Sequence, residues 1–243
     1  MITFDKVTFA RGKRHILNEV SFEVQYHERV AILGGSGEGK TTVLKLIVGL
    51  EAPDSGTIRI DDDVLHKKSE GQLQKIRRKL GVVFQQGALF DSLNVSENIA
   101  FPLREAGMTE TGLLRKKVES LLHKVGIKHA GGLMPEELSG GMIRRVAIAR
   151  ALATEQTKMF LYDEPTADLD PVNAGIIRNI MVDIASAGRG FIVVTHSVPD
   201  ALHTSERFMF LEKGSITIDG DKEAFQSCQK ESVQNFIQQA TLS

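Results

Sequence analysis

Hydrophobic positions along this chain follow two periods, and the change between them marks its elements. Near the start, Ile2 and Phe4, then Val7 and Phe9, alternate loosely with polar residues, and Val20, Phe22 and Val24 alternate strictly. A period of two places such side chains on one face of a half-buried strand. Arg11-Gly12-Lys13 reads as the turn between two strands. Val30-Ala31-Ile32-Leu33 is apolar throughout, which fits a short strand of a buried parallel sheet. Val43, Leu44, Leu46, Ile47 and Leu50 then recur with helical spacing, and Gly49 and Pro53 mark the helix end. From about residue 71 to residue 138, strand signals are few and helical patterns are rich in Lys, Arg and Glu, as over residues 113–125. That stretch predicts a helical subdomain inserted in an α/β core. Strands return at residues 158–162 and Phe191–Thr195, with helices expected at 141–153 and 172–187. A small β pattern (residues 208–211 and 215–218) follows, then an amphipathic tail with Val233, Phe236 and Ile237 on one face. The expected fold class is α/β.

Between the apolar strand and the first helix lies Gly34-Gly35-Ser36-Gly37-Glu38-Gly39-Lys40-Thr41, followed by Thr42. It fits G-x-x-x-x-G-K-[ST] in the strand–loop–helix context that the pattern requires. Glycines let backbone N–H groups approach phosphate oxygens, and the helix N-terminus adds partial positive charge. Lys40 then reaches the β- and γ-phosphates, and the Thr41 hydroxyl suits Mg²⁺. A glycine-rich turn that binds nothing is the bland reading, and the complete pattern in context counts against it.

Met159-Phe160-Leu161-Tyr162-Asp163-Glu164 is an apolar strand ending in two carboxylates. In P-loop enzymes such an aspartate supports Mg²⁺, a role that Asp163 fits. Glu164, one residue beyond the strand, is the candidate for polarising an attacking water. Asp-Glu-Pro is also ordinary loop chemistry, but with a phosphate loop upstream the metal needs a carboxylate. Farther back, Ser139 in Leu138-Ser139-Gly140-Gly141-Met142 reads as a helix N-cap that leaves first-turn N–H groups free. Alone, Ser-Gly-Gly is usually only a cap.

Together and in this order, these segments resemble the ABC ATPases. Leu138-Ser139-Gly140-Gly141 resembles their signature, Phe84-Gln85 the Q-loop, Ala167-Asp168-Leu169-Asp170 the D-loop and Thr195-His196 the switch histidine. The resemblance covers nearly the whole chain. It implies a P-loop NTPase core of residues 1–84 and 155–243 with an N-terminal antiparallel β subdomain. A helical signature subdomain of about residues 85–154 is inserted in it. It implies a head-to-tail homodimer. Each ATP lies between one protomer's phosphate loop (Gly35, Ser36, Gly37, Glu38, Gly39, Lys40, Thr41, Thr42) and the other's Ser139 and Gly141. By the same resemblance, Thr41, Gln85 and Asp163 serve Mg²⁺, and Gln85 also senses the attacking water and links it to a membrane partner. His196 holds the γ-phosphate and the water. Catalysis by Glu164, His196, Gln85 and Lys40 then rests on positioning and charge stabilisation of phosphoryl transfer to water.

Two positions depart from the family pattern. Many members stack an aromatic residue on adenine just before the first turn. Here Arg11, whose guanidinium plane also stacks on a base, and Phe9, of the same strand parity, both remain open. Met142 stands where many members carry Gln.

Composition narrows the setting. The 243 residues suit one large α/β domain, or at most two, and 42% hydrophobic residues supply a sizeable core. A net charge of −1 gives no general attraction to nucleic acid, so no nucleic-acid partner is expected. The single cysteine, Cys228, excludes an internal disulfide and fits a reducing cytoplasm. Met1 to Asp5 lacks the basic segment and apolar run of a signal peptide. No apolar run approaches the roughly 20 residues of a membrane span. The expected location is therefore peripheral, on the cytoplasmic face of the inner membrane, held by integral-membrane permease subunits.

Gly87-Ala88-Leu89-Phe90 after the Q-loop, and Ser139-Gly140-Gly141-Met142 with Arg144-Arg145, look like the Mla-type ATPases. That resemblance implies lipid transport between membranes with an Mce-type carrier. Some Mla-type subunits carry a longer tail that supports a small regulatory subunit, and the tail here looks abbreviated. The alternatives are an importer ATPase for amino acids or other small solutes, a soluble ABC ATPase acting on DNA or ribosomes, and a non-hydrolysing nucleotide-binding module. The lack of a second cassette, coiled coil or basic arms counts against the soluble ATPase, and Glu164 and His196 count against the non-hydrolysing module.

Overall fold

A computed structural model describes the backbone of residues 1–242 and the side chains through Gln239. The chain begins with the antiparallel hairpin β1 (Ile2–Arg11) and β2 (Arg14–Val24), then β3 (Arg29–Leu33) and α1 (Lys40–Ile47). β4 (Ser55–Ile60), β5 (Asp63–Val64), α2 (Glu70–Arg77) and β6 (Leu80–Val83) follow. Next come α3 (Val95–Glu105), α4 (Thr111–Lys124) and α5 (Gly140–Leu152). The alternation then resumes with β7 (Met159–Asp163), α6 (Pro171–Ser186), β8 (Phe191–Thr195), α7 (Val198–Thr204), β9 (Arg207–Glu212) and β10 (Ser215–Asp221). α8 (Lys222–Gln226) and α9 (Glu231–Leu242) end the described chain.

Two sheets result. The first is antiparallel, in the order β2-β1-β4-β5, and the second runs β10-β9-β3-β8-β7-β6 with only the β9–β10 pair antiparallel. The loose alternation of β1 has a local cause. Its register slips between Phe4 and Val7, where Lys6 takes a φ of 48°. A bulge of this kind inserts one residue, so Ile2, Phe4, Val7 and Phe9 all reach the same core despite their odd spacing.

The continuously apolar strands are buried on both faces. Val30 and Ile32 of β3 face a core shared with the antiparallel sheet and α1. Ala31 and Leu33 face a second core built with α3 to α7. β7 and β8 divide their residues in the same way, so no position along them is left for a polar side chain until the strand ends.

The helices expected at 141–153 and 172–187 run over Gly140–Leu152 and Pro171–Ser186. Three strands went unforeseen. β4 carries only Ile58 and Ile60 as apolar markers, β5 has two residues, and β6 has four, too few to display a period. The helical stretch expected from residue 71 is corrected accordingly. β6 is an edge strand of the large sheet, and the helices that pack on one another begin only at α3. The tail's apolar stripe covers its own chain: Val233 is fully buried, and Phe236 meets Phe210 edge-on at 5.1 Å.

Among the described residues a few buried polar groups are unpaired, and one of them lies on β7. Tyr162 is fully buried between Phe160 and Phe191, and its hydroxyl has no hydrogen-bond partner. Leaving a buried hydroxyl unpaired costs more than removing it. Tyr162→Phe is therefore expected to stabilise the fold by about 1 kcal/mol, read as a higher Tm in thermal unfolding. A lower Tm would mean that the hydroxyl has found a partner.

Candidate active site

The loop after β3 turns back on itself before α1, and its backbone explains its glycines. At Gly34, a Cβ would lie 2.3 Å from the Leu211 carbonyl oxygen. Gly39 caps α1 at φ 100°, in the left-handed region, and a Cβ there would lie 2.7 Å from Ile16. The first-turn amides of α1 have no carbonyl one turn back, so they point outward as donors at the positive end of the helix dipole. Two contacts brace the loop. Arg14 donates to the Gly37 carbonyl at 3.0 Å, and the Glu38 carboxylate accepts from the Lys213 amide at 2.5 Å.

Lys40 is buried and curls under this loop. Its ammonium donates to the carbonyls of Gly34 (2.8 Å) and Gly35 (3.0 Å) and lies 3.9 Å from Glu164. Burial pushes its pKa down, and the carboxylates of Glu164, Asp163 and Glu38 oppose that shift. Asp163, at the end of β7, is 3% exposed and accepts from the Thr41 hydroxyl at 2.9 Å. Burial pushes its carboxyl pKa up, the Thr41 hydrogen bond pulls it down, and neighbouring Glu164 adds to the rise. A hydroxyl and a carboxylate side by side are the oxygen donors that a hard cation such as Mg²⁺ takes.

Glu164 leaves the strand at φ 45°. One carboxylate oxygen meets His196 Nδ1 at 2.9 Å, and the other accepts from the Thr195 hydroxyl at 3.1 Å. The His196 side chain is 58% exposed and that of Glu164 12%, so the pair stands at the rim with the imidazole, not the carboxylate, open to solvent.

Ser36, Gly37, Gly39, Lys40, Thr41 and Thr42 line a cleft of about 540 Å³, and Gln85, Glu164 and His196 close its other side. Gly35 lies on an adjoining cleft of about 750 Å³ that reaches the segment of residues 166–169. Arg11 also borders the smaller cleft, with its guanidinium held 3.0 Å from Glu51. Phe9 is packed in the core at 6% exposure, so its ring is not free to stack on a base, which removes it as the alternative. Arg14 and Ile16 border the cleft as well and were not foreseen. Their only sequence signal was their position just after the first turn.

Ser139 and Gly141 do not join this cleft. Ser139 is exposed and caps α5 by accepting from the Met142 amide at 3.3 Å. Gly141 is pressed against α6, where a Cβ would come within 2.5 Å of Asn173 Oδ1. Asn173 in turn donates to Asp170, the α6 N-cap. Arg144, the next buried polar residue along α5, was noted from the sequence only as part of the Mla-type resemblance. It is 7% exposed with an unpaired Nε, and Asp168 and Asp163 partly offset its cost of burial.

A family model described as ABC transporter matches residues 17–167. The chain belongs to the ABC transporter family. It is 38% identical to the intermembrane phospholipid transport system ATP-binding protein MlaF of Escherichia coli (strain K12), over 98% of this chain and 88% of that protein. It is 36% identical to the arginine transport ATP-binding protein ArtM of Bacillus subtilis (strain 168), over 98% and 99%. The ATP-binding cassette MJ0796, solved as a dimer bound to ADP and Pi, superposes with a TM-score of 0.84 at 32% identity, over 91% of this chain and 98% of that one. The fold is thus the ABC ATPase fold, with its antiparallel β subdomain and helical insertion, and the chain is a nucleotide-binding ATPase subunit of a transporter.

The burial of Asp163 has a cost that depends on pH. Its folded pKa lies above the unfolded one, so the folded state holds the proton more tightly. As pH rises through the ordinary carboxylate range of about 4, the unfolded chain sheds that proton first and gains on the folded one. Below that range both states are protonated and there is no penalty. Asp163→Asn is therefore expected to raise the Tm of the nucleotide-free chain, by a margin that widens from acid to neutral pH. A margin that narrows with rising pH would contradict the assignment.

Proposed function

We propose that this chain works as one of two copies that hydrolyse ATP at shared sites and drive lipid transport between membranes through permease subunits and an Mce-type carrier. The observation that carries the shared site is the separation of Ser139 from its own phosphate loop. An exposed, capped helix start supplies free amides, and the cleft on the same chain does not receive them. A second copy placed head to tail brings them to the γ-phosphate. The dimeric form of MJ0796 supports this arrangement.

In this reading the loop amides and Lys40 hold the β- and γ-phosphates. Thr41, Asp163 and Gln85 hold Mg²⁺, which supplies neutralising charge when bound. Adenine rests beside Arg11, whose guanidinium is steadied by Glu51. The Glu164 carboxylate, oriented by Thr195 and His196, accepts the hydrogen bond of the attacking water. With Nδ1–H donating to Glu164, the opposite edge of His196 faces the γ-phosphate. Little covalent chemistry is asked of the protein, and the rate depends on alignment and fixed charge.

Lipid as cargo is supported by the likeness to MlaF over nearly the full chain. The likeness to ArtM favours a second reading, an amino-acid importer. Membrane partners would dock near Phe90 and Phe101, which are 42% and 40% exposed with ring centroids 4.8 Å apart. The buried Asn98 amide braces that patch by hydrogen bonds to the backbone of Phe90, Leu93 and Asn94. The chain would sit at the cytoplasmic face of the inner membrane.

Mixing tests the shared site. Lys40→Ala and Ser139→Glu chains should each be inactive alone, and their mixture should regain ATPase activity because a mixed pair holds one intact site. No recovery in the mixture would refute the head-to-tail arrangement. Cargo is tested by purifying the chain with its membrane partners. Co-purification of a permease, an Mce-type protein and extractable phospholipid is expected, and capture of a solute-binding protein instead would favour the importer. Phe101→Glu should abolish that co-purification while ADP binding stays intact.

A further inference from the structure

Glu164 and His196 leave the sheet from different strands, and their 2.9 Å contact alone does not fix the segments that carry them. We infer that Asp200 is a positioning residue of ATP hydrolysis, joining the helix that follows His196 to the segment that follows Glu164. This rests on the roles given above to Glu164 and His196.

Asp200 lies in α7, four residues after His196, and its side chain is 14% exposed. One carboxylate oxygen accepts from the hydroxyl of Thr166, two residues after Glu164, and the other accepts from the guanidinium of Arg178 in α6. Its main chain is equally committed. The amide donates to Ser197 at 3.3 Å, and the carbonyl accepts from Thr204 at 2.8 Å. Three segments thus meet on one carboxylate, which touches neither Glu164 nor His196. Thr166 is 7% exposed, so this is not a solvated surface pair of little consequence. Removing one partner leaves a largely buried charge or hydroxyl unmatched.

The joint also has a direction. Thr166, Asp168, Arg178, His196 and Asp200 border the larger cleft, on the side to which Glu164 opens. A copy docking against residues 166–170 presses on the segment that Thr166 anchors. Through Asp200 that displacement reaches α7, and through α7 it reaches His196. The joint would make the hydrolytic pair sensitive to whether the second copy is seated.

The test uses the full chain under conditions in which it hydrolyses ATP, with kcat, KM, ADP affinity and Tm measured for each variant. Thr166→Val and Asp200→Asn are expected to lower kcat roughly 10- to 100-fold, the scale of a small misplacement. ADP affinity should stay within about twofold. Thr166→Ser, which keeps the hydroxyl, should retain the rate. His196→Ala combined with Asp200→Asn should be no slower than His196→Ala alone, because Asp200 acts through His196. Asp200→Asn leaves Arg178 without its carboxylate and could unfold, so Thr166→Val, which keeps that ion pair, carries the decision. A folded Thr166→Val with wild-type kcat, or a multiplicative loss in the His196→Ala background, overturns the inference. A wild-type rate from His196→Ala would instead sink the reading of the site, and this inference with it.

Discussion

An ammonium and two carboxylates are buried together at the ends of strands that are apolar along their whole length, and the rest of the structure is arranged around keeping them there. Lys40 is held by two loop carbonyls and lies 3.9 Å from Glu164, while Asp163 leans on Thr41. Burial disfavours the charged form of both Lys40 and Asp163. Each charge lowers the cost of the other, but for both groups burial remains the larger effect. Such a cluster is tolerable only where the backbone supplies further dipoles, which here means the ends of three parallel strands and the start of α1.

That requirement accounts for the double burial of the large sheet. A strand covered on one face only would need polar residues at every second position and would let water reach the cluster from behind. Here the antiparallel sheet and α1 close one face and α3 to α7 close the other. The first polar positions are therefore the strand ends, and they carry Asp163 and Thr195. Thr195, 1% exposed, spends its hydroxyl on Glu164 and accepts from the Ser197 amide, so even the last strand residue aligns the acid.

Much of this was legible from residue order. Strands buried on both faces announce themselves as unbroken apolar runs, and Gly34–Thr41 and Asp163-Glu164 each sit where such a run stops. What escaped was of two kinds. β6 is too short for periodicity to register, although its place at the sheet edge brings Gln85 to the cleft. Arg14, Ile16 and Asp200 belong to no local pattern, because what makes them matter is a neighbour distant in sequence, such as the phosphate loop for Arg14 and Thr166 and Arg178 for Asp200. Arg144 does belong to a local pattern, but its burial near Asp168 is not visible in it. Phe9 shows the converse. Its parity matched Arg11, but the register shifts along β1 separate the two, and Phe9 turns into the core.

The packing of α5 on α6 would set how the proposed pair of copies meets. Gly141 admits Asn173 so closely that no side chain fits between them, Asn173 is tied to the α6 cap Asp170, and Arg145 reaches the Gly141 carbonyl at 3.3 Å. The signature turn and the D-loop are thereby parts of one rigid corner. A corner of that kind cannot offer its amides to a neighbour's phosphate without also presenting its D-loop to the same neighbour. One geometric event then satisfies two contacts, and its entropic cost is met once rather than twice. In the proposed pair that rigidity would serve assembly, and freedom is left to the imidazole of His196, 58% exposed against 12% for its partner Glu164.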